Sequence, residues 1–181
     1  MQSFNLLFYQ GYKILNSLFL GVSLGTIFVI YQSLPQETYS LGGIALAIGS
    51  WILTLFYTQI LQERAYKVIL LGIEIIPFFY LGVYLIAPDT FYGAIVIYVL
   101  YQITFIFGGY LVRCETLIFE KSTLATLDRA KQVGYLLGLG IAFLFYYFLE
   151  GEKTYQVYYL HFLLLFIQSL VLIALLFSYK R

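Results

Sequence analysis

Gln62-Glu63-Arg64-Ala65-Tyr66-Lys67 interrupts an otherwise apolar run that extends from Leu41 to Ala87. That run is about twice what one membrane span needs. The charged break therefore reads as the tight hairpin where a second transmembrane helix hands over to a third. Arg64 and Lys67 favour the cytoplasmic side of a bilayer, so this turn fixes the direction of every other crossing.

Composition agrees with a chain that lives in lipid. It is 62% hydrophobic, 20% aromatic and 10% charged, with a mean hydropathy of +0.89. A soluble domain of this length could not hide so much apolar surface. The reading is an all-α integral membrane protein. A formal net charge of +1, without a run of Lys or Arg, argues against a nucleic-acid partner. Cys114 is the only cysteine and His161 the only histidine. Neither an internal disulfide, a thiolate metal site nor a bis-histidine haem within one copy can be assembled, so no metal and no cofactor are expected.

Working outward from the hairpin, the second span covers about residues 40–61 and the third about 68–87, which stops at Ala87-Pro88-Asp89, a turn with Pro and Asp in suitable positions. A first span covers about 14–31 and ends before Leu34-Pro35, where proline disfavours helix at the residue preceding it. It is too long for the apolar core of a signal peptide and is expected to be retained. Residues 1–13 look like a cytoplasmic lead-in, with Phe4, Tyr9 and Tyr12 suited to the headgroup zone. The fourth span covers about 91–112, the fifth about 132–149 and the sixth about 155–178. Between the fourth and fifth lies Arg113–Lys131, which reads equally well as an interfacial helix or as extensions of both spans joined by a kinked turn.

With both termini in the cytoplasm, Lys13, Arg64, Lys67, Arg113, Lys121, Arg129, Lys131, Lys180 and Arg181 all fall inside, and Lys153 alone falls outside. The outer turns carry Glu37, Asp89, Glu150 and Glu152 instead. This is the bias that sets membrane topology. A single six-helix membrane domain with both ends inside follows, with no internal repeat visible in the sequence.

Few residues inside the spans carry chemistry. Glu74 lies roughly 10 Å into the third span at 1.5 Å per residue, with Pro77 in the next turn. A carboxyl there must be protonated, paired or wet, so it reads as a proton or cation site, or else as a structural carboxyl bound to a neighbouring helix. Gln102 and Gln168 fall in the middle of the fourth and sixth spans and can join helices by hydrogen bonds or line a solute path. His161 sits near the outer end of the sixth span among Tyr155, Tyr158 and Tyr159. It reads as an interfacial residue, or else as a ligand or proton-carrying group. The pairs Gly21/Gly25 and Gly134/Gly138 put small residues on one helix face, which suits close helix approach. No Ser-His-Asp set, carboxylate pair or phosphate-binding glycine loop is present, so no catalytic residues and no enzyme are expected.

A tight basic hairpin after the second span and a longer charged loop after the fourth resemble the amino-terminal half of a major facilitator superfamily transporter. Glu63, Arg64 and Lys67 match the acid and bases of the family's hairpin motif, with Gln59 and Tyr66 where the family has glycine. Glu115, Glu120 and Asp128-Arg129-Ala130, followed by Gly134-Tyr135-Leu136-Leu137-Gly138, match its charged loop and small-residue fifth helix. The resemblance implies a conformational gate at Glu63, Arg64, Lys67, Asp128 and Arg129. It also implies a permease for a small solute, completed by a second copy or by another six-span protein, since the family binds substrate between two such halves. A bacterial cytoplasmic membrane is the expected location. Two rival readings from composition and topology are a non-transporting assembly subunit and the substrate-binding subunit of a multi-component importer.

Overall fold

A computed structural model describes residues 4–179, so the predicted cytoplasmic placement of Lys180 and Arg181 lies outside the described residues. Among the described residues seven helices follow one another: α1 (Leu6–Tyr31), α2 (Gln36–Leu55), α3 (Tyr57–Ile60), α4 (Glu63–Ile86), α5 (Phe91–Ile118), α6 (Lys121–Phe148) and α7 (Lys153–Ser178). All except the single-turn α3 are long and apolar enough to cross a membrane. Among the described residues no strand forms, apart from one isolated bridge between Phe4 and Tyr179.

Local chemistry sets the ends. The Asn5 side chain accepts the Leu7 N–H at 3.2 Å and opens α1, and the Thr90 hydroxyl accepts the Gly93 N–H at 3.1 Å and opens α5, each satisfying a donor that the first helical turn leaves over. Glu37 lies in the first turn of α2, where a negative charge suits the helix dipole. Asp89 takes a left-handed φ of 56° in the turn between α4 and α5, a conformation that Asp tolerates better than most residues. Pro77 lies inside α4, as membrane helices permit when neighbours satisfy the freed backbone groups.

The helices are longer than the apolar runs suggest. α5 continues to Ile118 and α6 begins at Lys121, so of the two readings of the Arg113–Lys131 stretch, it is the extension of both spans that the structure adopts. Each of these 28-residue helices measures about 42 Å at 1.5 Å per residue, more than the roughly 30 Å of hydrocarbon. Their charged ends thus extend beyond the apolar layer while remaining helical. The lead-in also differs from expectation. α1 begins at Leu6, and Phe4, Tyr9 and Tyr12 are buried. Phe4 packs against Tyr9 with ring centroids 4.8 Å apart and against Tyr179 at 5.6 Å, and the second contact seats it against the end of α7.

The chain forms two compact units, one holding α1, α6 and α7, the other α2, α3, α4 and α5. In the first, α1 packs on both α6 and α7. Gly21 faces Tyr135, Gly138 and Leu139, Gly134 faces the Ile14 carbonyl, Gly138 faces the Leu18 carbonyl, and Gly25 faces Tyr146. Numbers rise together along both helices, so α1 and α6 are parallel, and backbone touches backbone because no Cβ intervenes. α7 runs antiparallel to α1, as the Phe4–Tyr179 bridge and the stacked Phe8–Phe177 pair at 5.7 Å show.

In the second unit, α5 packs on both α2 and α4. Tyr98 of α5 lies against Gly42 of α2, and Ile106 lies against Gly49, so these two helices are parallel. α4 is antiparallel to α5, with Tyr80 stacked on Tyr101 at 4.4 Å and Tyr66 opposite Glu115. Large apolar side chains such as Trp51, Ile86 and Phe79 stay more than half exposed, which suits contact with lipid chains and not with water.

Candidate functional site

The polar residues of the second unit concentrate at two levels of the α4–α5 pair. Glu74 is 4% exposed, and its burial face on α4 also carries Tyr66, Leu70, Ile73, Pro77, Tyr80, Leu81 and Tyr84. These positions recur at three- and four-residue intervals, the single stripe expected of a helix buried on one side. Glu74 therefore points into protein and away from lipid, as an intramembrane carboxyl must.

About two turns toward the hairpin, the ends of α4 and α5 are joined by hydroxyl groups. The Tyr66 hydroxyl donates to the Glu115 carboxylate at 2.9 Å, with both residues buried. The Tyr110 hydroxyl donates to the Ile60 carbonyl at 2.8 Å, and the Cys114 thiol lies 3.8 Å from the same hydroxyl. The Arg113 guanidinium sits 5.5 Å from the centre of the Tyr57 ring, a distance that permits cation–π attraction. In the sequence Glu115 stands as one charge of a loop, and nothing beside Tyr66 marks its partner. Counting equal lengths back along both helices from the Ala87–Thr90 turn brings the two within about one helical turn of each other, and that count was the available signal.

Gln102 lies between Tyr98 and Ile106 at four-residue spacing, so it belongs to the ridge of α5 that faces α2. Its Oε1 is buried and has no hydrogen-bond donor. Such an acceptor is costly in an apolar interior.

In the first unit, His161 and Gln168 both lie on the buried face of α7, two turns apart and 2% and 0% exposed. His161 is thus an interior residue, whereas Tyr155 and Tyr159 remain nearly half exposed. Its Nδ1–H donates to the Val157 carbonyl at 2.7 Å, because a carbonyl can only accept. That bond places the other ring nitrogen in the unprotonated form when the ring is neutral. Lys13, one of the charges that orient the chain, is 8% exposed on α1. Its ammonium lies 5.3 and 5.5 Å from the rings of Tyr9 and Tyr12. Tyr146 of α6 continues the Gly134-Gly138-Ala142 ridge and places its ring over Gly25; its hydroxyl is buried without a partner.

The residues of the predicted gate make local ion pairs. Glu63 and Lys67 meet at 3.5 Å one turn apart on α4, and Asp128 and Lys131 meet at 3.7 Å on α6. Arg64 and Arg129 are exposed on the same helices. A groove of about 500 Å³ on α6 is lined by Ile141, Leu144, Phe145, Phe148 and Leu149, wholly apolar and suited to acyl chains. A smaller one of about 280 Å³, lined by Leu6, Gln10, Ser122, Thr123, Thr126 and Leu127, lies where α1 and α6 begin. Among the described residues, no three of His, Cys, Asp and Glu gather closely enough to hold a metal ion. No family model matches the chain, and no match was found among curated proteins or solved structures.

Proposed function

We propose that the chain is a half-size, facilitator-like permease that moves a small solute across a bacterial cytoplasmic membrane, with both termini inside. It works as a homodimer or with a second six-span protein. The supporting observation is an exchange of partners between the two halves of the chain. The first long helix of the first half, α1, packs on the second and third of the other half, α6 in parallel and α7 antiparallel. The first long helix of the second half, α5, packs in the same manner on α2 and α4.

Two chain halves of three crossings each enter a membrane from opposite sides, the topology from which many secondary transporters are built. Glu74, Gln102, His161 and Gln168 are the candidate residues of the solute or proton path. Glu63, Arg64, Lys67, Asp128 and Arg129 are the candidate gate.

The test is reconstitution of the full chain in proteoliposomes at low protein density. Currents on a solid-supported membrane are recorded against a panel of amino acids, sugars, organic cations and organic anions. Copy number is read by native mass spectrometry from lipid nanodiscs. A current with at least one solute class, together with two copies or a co-purified six-span partner, is expected. A monomer without current for any class overturns the proposal.

A further inference from the structure

We infer that the segment Phe56–Gln62 is a strap that undocks from the end of α5 without unfolding the rest of the chain, and that Cys114 is exposed when it does so. The backbone singles the segment out. α2 ends at Phe56 with φ −99° and ψ 3°, the four-residue α3 follows, and Leu61 with φ −74° and ψ 60° closes a tight turn. In that turn the Gln62 N–H donates to the Ile60 carbonyl at 2.7 Å, the three-residue geometry expected of those angles. A helix of one turn has almost no stability of its own. No residue of α3 is buried, and Phe56 is 48% exposed.

The strap is tied to α5 by Tyr110 O–H to the Ile60 carbonyl at 2.8 Å and by Arg113 over the Tyr57 ring at 5.5 Å. The Tyr57 and Tyr110 rings also approach to 6.3 Å. An exposed segment with few tertiary anchors belongs to the low-stability end of a protein and opens locally. By contrast, α4 leaves the strap through Tyr66, fully buried and bonded to Glu115, so the opening stops at that residue. The Cys114 thiol lies beside the hydroxyl that holds the strap and is 1% exposed. This inference stands apart from the transport reading and holds or fails without it.

Because Cys114 is the only cysteine, its alkylation by N-ethylmaleimide in the purified full chain reads the opening directly. In the unmodified protein, labelling is expected to be slow and nearly independent of urea at low concentration, since local opening exposes little surface. Tyr57→Leu, which leaves the surroundings of the thiol intact, and Tyr110→Phe are each expected to speed labelling about fivefold, the loss of one ordinary hydrogen bond or its equivalent. Tyr101→Phe, on the same helix but away from the strap, is expected to leave the rate unchanged. A rate in the unmodified protein that rises steeply with urea from the start, or no labelling short of global unfolding, overturns the inference. So do folded strap variants that label at the original rate.

Discussion

Tyr66 and Glu115 meet across the α4–α5 hairpin, hydroxyl to carboxylate at 2.9 Å, with the ring of Tyr66 completely buried. Tyr66 supplies a specific bond between the first turn of α4 and the last turn of α5. Tyr66→Phe removes a donor from a buried acid and is expected to cost about 1–2 kcal/mol. Tyr66→Gly also empties the ring's volume and is expected to cost about 3–5 kcal/mol. Thermal unfolding of both variants in one detergent reads the difference, and equal melting points would show that the ring is not packed as described.

Gly134 and Gly138 hold α6 against α1 so closely that an added Cβ would strike the Ile14 and Leu18 carbonyls. Backbone cannot yield as a flexible side chain can. Gly138→Ala is therefore expected to separate the helices and destabilise by at least about 2 kcal/mol, in the range of overpacked cores. Gly140→Ala, where nothing lies within 4 Å, is expected to be neutral or to stabilise by up to about 1 kcal/mol through helix propensity. Melting temperatures of the two single variants decide it.

The six crossings could be read from hydropathy alone, because a bilayer demands long apolar helices whatever they touch. The presence of Glu74 was equally plain, since one carboxyl in an apolar run stands out. The sequence could not reveal which helix faces which. The Gly21/Gly25 and Gly134/Gly138 pairs announced close packing, but their mutual partnership depends on a parallel α1–α6 pairing over a long sequence separation. The reach of α5 and α6 beyond the apolar layer was half legible, since Leu117, Phe119, Leu124 and Leu127 suit either an interfacial helix or a continued one. The tyrosines around His161 in sequence say nothing of which neighbour it meets; helical spacing puts it on the face with Val157, Leu164 and Gln168.

Gln102 carries a buried Oε1 without a donor between α5 and α2. Gln102→Leu keeps the approximate volume and removes that acceptor, so stability is expected to rise by about 1 kcal/mol. If uptake is lost in the stabilised variant, the amide serves the solute; if uptake is retained, it serves only packing. A fall in melting temperature would show that the amide has a structural partner.

Glu74→Gln keeps shape and burial but removes the titrating group. The variant is expected to fold and to lose more than about 90% of proton- or cation-driven current, since a proton site in a span cannot be replaced by an amide. Retained current assigns Glu74 to structure.

A permease with both termini inside requires α6 to cross outward, with Arg129 in the cytoplasm and the Glu150 turn outside. In a Cys114→Ser background, Glu150→Cys and Arg129→Cys are exposed in intact cells to a membrane-impermeant maleimide. Labelling at position 150 and protection at position 129 are predicted, with position 129 reacting only after permeabilisation. Labelling at 129 with protection at 150, or at both from one side, would contradict it.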